Sequence, residues 1–282
     1  MMATNGNDWF DFQAPAGAQA ETASYPTIQW FNGGQGNAHP VMKTGGWELP
    51  VKWFGPVFGD GLPVFDIEHQ GADTGSDPAY LFEALQFAAV TKHVSYYVGA
   101  GKERRWFTEY QPGLFSRVKL LGFCREIEAV APLTPVIVTF RSSVARDFNN
   151  ISKQFRADVL ATADKIAAEL AREAGRDVPA KFLPYAFYLP FGSAGKRVKT
   201  GGGSQKSQYA PLEGKWDSET FKADDRAKVI AALKALATPT DLRNYVRDSF
   251  YDTAREWLET EKARLVGHVD TQEFTAPEEG EE

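Results

Sequence analysis

The sequence predicts an α+β protein: a β-rich, OB-like or Greek-key body with added helices and flexible termini. Between residues 25 and 145, short aromatic or β-branched runs alternate with Gly, Pro, Asn and Asp, the punctuation of strands and turns. From residue 146 onward the apolar spacing lengthens toward the helical period. Both ends of the chain are polar and show no apolar period at all. The chain of 282 residues, 43 % of them hydrophobic, is long enough to bury a core. It divides into a flexible arm (1–24), a single α+β domain (25–269; β-rich over 25–145, mixed helical over 146–269) and an acidic tail (270–282).

In chain order, the arm is rich in Ala, Gly, Gln, Asn and Thr. The candidate strands are TIQWF (27–31), WELPVKWF (47–54), LPVFDI (62–67), HVSYYVG (93–99), RRWFTEY (104–110), RVKLLGFCREI (117–127) and PVIVTFR (135–141). Strands this short and this regularly punctuated suit a sandwich or a small barrel. DPAYLFEALQFAAVT (77–91) reads as a helix, with Asp77 as N-cap, Pro78 in the first turn, and Leu81 and Leu85 one turn apart. A longer helix is expected over 149–175, where Ile151, Phe155, Val159, Ile166 and Leu170 share a face and Gly175 ends it. A β-like piece, KFLPYAFYLPFG, then leads into a glycine- and lysine-bearing loop, SAGKRVKTGGGSQKSQY. Two helices close the domain. One covers 218–237; the other opens at Thr238-Pro239-Thr240-Asp241 and runs to Gly267, with Leu242, Tyr245, Val246, Ala254, Trp257 and Leu258 as a core stripe.

Charge is distributed unevenly. The net charge is -6, but the tail carries six acids and no base, and the first 25 residues carry Asp8, Asp11 and Glu21 and no base. The body between them is therefore mildly basic. No apolar run is long enough to span a bilayer, and MMATNGNDWFDF lacks the features of a secretion signal. The single cysteine, Cys124, sits in an apolar run and reads as a buried small hydrophobe. Together these point to a cytoplasmic protein without a membrane partner.

Known chemistries find little to stand on. His39, His69, His93 and His268 are scattered, and no spacing suits a metal site. Asp66 and Glu68 would share one strand face, more simply a solvated face than a catalytic pair. The two Gly-Lys pairs, Gly101-Lys102 and Gly195-Lys196, lack the upstream glycine and the following hydroxyl of a phosphate loop. No catalytic residue, metal or cofactor is therefore assigned.

What remains is basic residues interleaved with rings. SYYVGAGKERRWFTEY reads as a hairpin carrying Tyr97, Lys102, Arg104, Arg105 and Trp106. The glycine loop adds Lys196, Arg197 and Lys199, and the stretch 28–56 adds Trp30, Trp47 and Trp53 against one acid, Glu48. Cations follow phosphates and rings stack on unpaired bases, so these eleven residues form the candidate nucleic-acid groove. KTGG occurs at 43–46 and again at 199–202, in each case a turn in which glycines let the backbone bend beside a lysine.

The layout resembles that of bacterial and phage single-strand-binding proteins, with a β-rich body, basic loops and an acidic C-terminal tail. That resemblance implies a tail that competes for the groove and docks replication or recombination proteins. The chain lacks the terminal phenylalanine typical of the bacterial proteins. YPTIQWFNG followed by TGGWELP, with KLLGFCREI and TPVIVTFRSS downstream, is also similar to uncharacterised phage and plasmid proteins, which implies a mobile-element setting. The expected function is non-catalytic binding of single-stranded nucleic acid, with DNA favoured, in replication or recombination of such an element. The alternatives left open are an enzyme such as a metal-dependent nuclease using Asp66 and Glu68, and a structural or assembly protein that forms homo-oligomers.

Overall fold

The computed structural model describes residues 25–68, 76–99, 105–200 and 207–266, so the 1–24 arm and the acidic tail lie outside the described residues. The chain begins with β1 (Thr27–Phe31), a glycine-bearing connection holding α1 (Pro40–Thr44), and β2 (Gly46–Pro50). α2 (Val51–Phe58), β3 (Phe65–Glu68), β4 (Ser76–Phe82) and the long β5 (Ala84–Val98) follow. Next come β6 (Arg105–Phe107), β7 (Phe115–Cys124), α3 (Arg125–Glu128) and β8 (Pro135–Arg141). α4 (Ser142–Phe155) passes through a π turn at Arg156–Leu160 into α5 (Ala161–Glu173). Then come β9 (Leu189–Ser193), β10 (Val198–Thr200), β11 (Ser207–Tyr209) and β12 (Leu212–Gly214). The C-terminal helices are α6 (Ser218–Lys222), α7 (Arg226–Leu236), α8 (Thr240–Tyr245) and α9 (Tyr251–Val266), the last two joined by a second π turn at Val246–Phe250.

The main sheet runs in the order β12-β9-β5-β7-β8-β1-β2-β4-β3, with β6 paired to β5. Every pairing is antiparallel except β1 with β8. Only Glu83 separates β4 from β5, yet β7, β8, β1 and β2 lie between them along the hydrogen-bonded path. Two strands joined by one residue cannot lie four strands apart on a flat sheet. The sheet therefore curls into a ring of β1, β2, the bent β4–β5 strand, β7 and β8. At the bend the backbones crowd: a Cβ at Gly192 of β9 would lie 2.4 Å from the Glu83 carbonyl oxygen. Around the ring the strands come in chain order, with β3 and β6 left outside it, until the parallel β1–β8 pair closes it. Beside the ring, β9 returns after the long α4–α5 connection to pair antiparallel with β5, giving the spatial order β9-β5-β7-β8.

Alternation along the strands sorts the apolar side chains into two layers. Inside the curl, fully buried Trp47 meets Phe140 and Phe191 at 5.4 and 5.2 Å between ring centroids, and Phe148 of α4 stacks on Phe140 at 4.5 Å. On the outer face, Leu121, Phe123 and Ile137 pack against Leu242, Val246 and Trp257 of the stripe read from the sequence, joined by Phe250. Near its C-terminal end, α9 is also tied down by an ion pair, Lys119 Nζ to Glu261 Oε2 at 2.5 Å, with both side chains mostly buried. Cys124 is buried as expected, its thiol donating to Glu126 Oε2 at 2.9 Å and pushed well above its usual range by burial. Among the described residues, no helix is long and apolar enough to cross a membrane.

The structure corrects several expectations. Residues 77–91 are strand, not helix: Ala79 to Phe82 pair with β2, and Ala84 to Tyr97 pair with β9 and β7. Tyr80, Phe82, Leu85 and Phe87 also satisfy a two-residue period across the bend, and sheet pairing on both sides decides the outcome. VKWF, read as strand, is the first turn of α2. The 149–175 helix begins earlier, at Ser142. The 218–237 helix is two helices, capped separately when Asp217 accepts from Glu219 N and Asp225 from Lys228 N. Thr238 does not cap α8; its hydroxyl donates to the Tyr185 and Ala186 carbonyls and anchors the chain beside β9.

One polar row crosses the outer face in register. Glu48, Gln29, Thr139, Lys119 and His93 are successive Cα partners on β2, β1, β8, β7 and β5. Glu48 is 2 % exposed, and burial, reinforced by Asp77 and opposed by Arg141 and Lys52, pushes its carboxyl up to about 7. At the other end of the row burial holds His93 below the usual histidine range, with Glu261 opposing.

A group whose folded pKa is raised stabilises the fold fully below its unfolded value, and the contribution is lost as pH rises through the folded value. For Glu48 that window runs from about 4.5 to about 7. Glu48→Gln should therefore be more stable than the wild type by about 1–3 kcal/mol at about pH 8, with the gap closing by about pH 5. Urea unfolding at the two pH values checks this, and a pH-independent gap would contradict it.

Candidate nucleic-acid interface

Strand direction gathers the loops of interest at one end of the ring. β1 and β8 both finish there, with Arg141 in the row of Phe31, while β7 and β2 begin there. β5 and β6 extend beyond it as a ribbon, confirming the hairpin read at 95–110: Tyr96 pairs with Phe107, Tyr97 with Trp106 and Val98 with Arg105. The β10–β11 hairpin reaches the same end through the β1–β2 connection.

The ribbon brings together Tyr97, Arg105 and Trp106. Arg105 is exposed, and Trp106 is half-buried with the Arg117 guanidinium over its ring at 5.4 Å. Tyr97 is 8 % exposed, packed at 5.3 Å on Trp106 and 5.8 Å on Phe115, with its hydroxyl 3.2 Å from Ser142 Oγ. Ser142 sits at the β8–α4 junction with φ 53°, in the left-handed region that a non-glycine residue seldom adopts. Tyr97 thus holds the ribbon against that junction and leaves stacking to its neighbours. Lys102 and Arg104 lie outside the described residues.

The second group forms around the β1–β2 connection. Lys196, Arg197 and Lys199 are exposed, and Lys199 pairs with Gln208 across the β10–β11 hairpin. Arg197 lies against Gly34, where a Cβ would come within 2.6 Å of Nη1. Ser193 donates to the Thr44 carbonyl at 2.9 Å, so the first KTGG turn is built against the start of the loop that carries the second. From Asn32 to Gly46 and from Ser193 to Pro211 the sequence holds no acid, while Lys43, Lys196, Arg197, Lys199 and Lys206 supply positive charge. Trp30 borders this group half-buried, its Nε1 donating to Asn32 Oδ1 at 3.2 Å and its ring edge-on to Trp47 at 4.8 Å.

Besides Tyr97, two more of the eleven candidates need reassignment on burial. Trp47 is 0 % exposed in the middle of the core, so no face of its ring can meet a base. Its position follows from the two-residue period of β2, which points Trp47 and Leu49 inward together. Trp53, on α2, is half-buried against the same core. Beside the ribbon the exposed rings are instead Tyr110, at 62 %, and Phe115, at 51 %, with Tyr96 packed on Tyr110 at 5.5 Å. They flank Gln111-Pro112-Gly113-Leu114, and a Pro-Gly turn between two rings is the signal that could have marked them. Asp66 and Glu68 are exposed on β3, and among the described residues no group of three His, Cys, Asp or Glu side chains could hold a metal ion.

Gly45 couples the two loops. It has φ 84°, and a Cβ there would lie 2.3 Å from that of Ala210 and 2.9 Å from the Phe31 carbonyl oxygen. Gly45→Ala should cost about 2–4 kcal/mol, combining backbone strain with displacement of the hairpin. Chemical denaturation measures it, and a loss under about 0.5 kcal/mol would show that the hairpin is not seated on this loop.

No protein-family model, curated protein or solved structure matches this chain at a significant level.

Proposed function

We propose that this chain binds single-stranded nucleic acid, DNA in the first instance, without catalysis, at the loop end of its strand ring. The observation that carries this reading is the company kept there: exposed Tyr110, between β6 and β7, and exposed Phe115, at the start of β7, accompany Arg105 of β6 and Arg117 of β7, at the end where two acid-free, lysine-bearing loops meet. A path of this kind suits an unpaired strand. Its phosphates follow the cations and its bases lie on rings, each stack worth about 1–3 kcal/mol. A duplex hides its bases from such rings.

Compared with the groove read from sequence, Trp47 is withdrawn, Tyr97 and Trp53 become supports, and Tyr110, Phe115 and Arg117 join. Trp30, Arg105, Trp106, Lys196, Arg197 and Lys199 keep their part. Likeness to an OB-like protein extends to the mode of binding, a curved antiparallel surface whose loops carry the contacts. The acidic tail, with six acids and no base, acts as a competitor for the cationic loops and as a handle for replication or recombination proteins. The setting is replication or recombination of a mobile element in the cytoplasm.

Tryptophan fluorescence during titration with oligo-dT of about 30 nucleotides should show salt-sensitive quenching, and Tyr110→Ala or Phe115→Ala should each weaken binding about tenfold. Replacing Lys196, Arg197 and Lys199 by Gln should flatten the salt dependence, and removal of 270–282 should tighten binding. Absence of both quenching and a mobility shift at low salt would overturn the proposal.

A further inference from the structure

A cavity of about 270 Å³ opens on the concave side of the sheet, remote in register from the loop end. Its walls are apolar, with Phe87 and Leu120 from the sheet, Phe148 and Phe155 from α4, and Leu160 from the π turn. Lys92 and Arg156 line it as well and are both exposed, which places their charged groups at the mouth. Two irregularities shape it. The β5–β7 register slips between Ala89 and Thr91, and the helix widens into a π turn at Arg156. Such bulges re-aim side chains and recur beside binding sites.

The charge at the mouth is one-sided. Lys92 Nζ donates to Asn149 Oδ1 at 2.8 Å, and its stem packs toward Phe148, with Nζ 6.0 Å from the ring centroid. Partial burial and then the charges of Arg156 and Lys153 hold its ammonium below the usual lysine range. No acid lines the cavity, and among the described residues no carboxylate pairs with Lys92, Arg156 or Lys153. Lys92 and Arg156 at the mouth, with Lys153 acting on Lys92 from nearby, repel one another, and an anion seated between the first two would relieve that repulsion while its apolar body filled the space below.

We propose that this cavity binds a small amphipathic monocarboxylate, its apolar body against Phe87, Leu120, Phe148 and Phe155 and its carboxylate between Lys92 and Arg156. The volume suits a body of about ten carbons, slightly below the usual range for small-molecule pockets. Neutral molecules of the same shape lack the ionic contact, and small inorganic anions lack the apolar one. The site stands independently of the nucleic-acid reading, since none of its residues belongs to the loop end.

Isothermal titration of the full chain with decanoate, 2-naphthoate, decanol and inorganic phosphate tests the proposal. One saturable site for decanoate or naphthoate is expected, and which of the two binds tighter tells an aliphatic from an aromatic body. Decanol should bind at least about tenfold more weakly, and phosphate should show no heat of binding. Lys92→Met, which keeps the stem, and Arg156→Gln should each weaken carboxylate binding about tenfold. Ser152→Trp, at the rim on α4, should abolish it with an unchanged unfolding midpoint. Equal affinity for decanol, no saturable binding, or displacement of decanoate by oligo-dT would overturn the proposal. The last would assign the cations to phosphodiesters.

Discussion

The rest of the structure depends on the single-residue joint at Glu83. Because β4 and β5 are one bent strand, the sheet must curl until β2 and β9 face each other across its concave side. The curl creates the volume that Trp47, Phe140, Phe148 and Phe191 fill, where four rings meet edge to face or stacked. Rings of that size stabilise by area and also fix geometry, since few arrangements satisfy all four contacts. The same closure decides where the loops lie. With β1 and β8 parallel, their two C-terminal ends emerge side by side, and the β5–β6 ribbon and the β10–β11 hairpin are brought beside them.

The outer face is held differently. There the sheet carries a polar row, and α9 covers part of it through an ion pair in addition to apolar contact. A buried pair is costly to break and of modest net benefit when made, so its main effect is on register. Shifting α9 by one turn would strand Lys119 and Glu261 separately in a low-dielectric layer. Glu48 and His93, at opposite ends of the row, are both held toward their neutral forms by burial, so the row carries less charge than its composition suggests. The concave side and the outer side thus use different chemistry to fix one sheet.

Much of the β-rich half was legible because its strands are bounded by turn residues and because β-branched runs such as PVIVTFR leave little choice. Residues 77–91 were not, since Leu81 and Leu85 fit a helical face as well as two arms of a bent strand, and only the partners on either side distinguish these. The helical stripe at 242–258 was plain in the spacing, whereas the break at Asp224 and Asp225 is a local capping event with a weak signal. For the interface, Arg105, Lys196, Arg197 and Lys199 are exposed, but the sequence had no means to sort the rings. Trp30 and Trp47 are neighbours across one ladder in similar surroundings, yet one borders a loop and the other fills the core. Tyr110 and Phe115 were discoverable only by noticing that they bracket a turn.

The parallel β1–β8 pair also sets a timetable. Strand β1 lies at residues 27–31 and its partner at 135–141, so the two are separated by more than a third of the chain. As the polypeptide emerges from the ribosome, β1 can fold back on β2 at once, but its other edge has nothing to pair with until β8 has been synthesised. Contacts of such wide sequence separation form late and slowly. For that interval the nascent chain exposes an unpaired apolar edge containing Ile28, a natural docking point for chaperones and, if translation stalls before residue 141, a seed for association between neighbouring nascent chains.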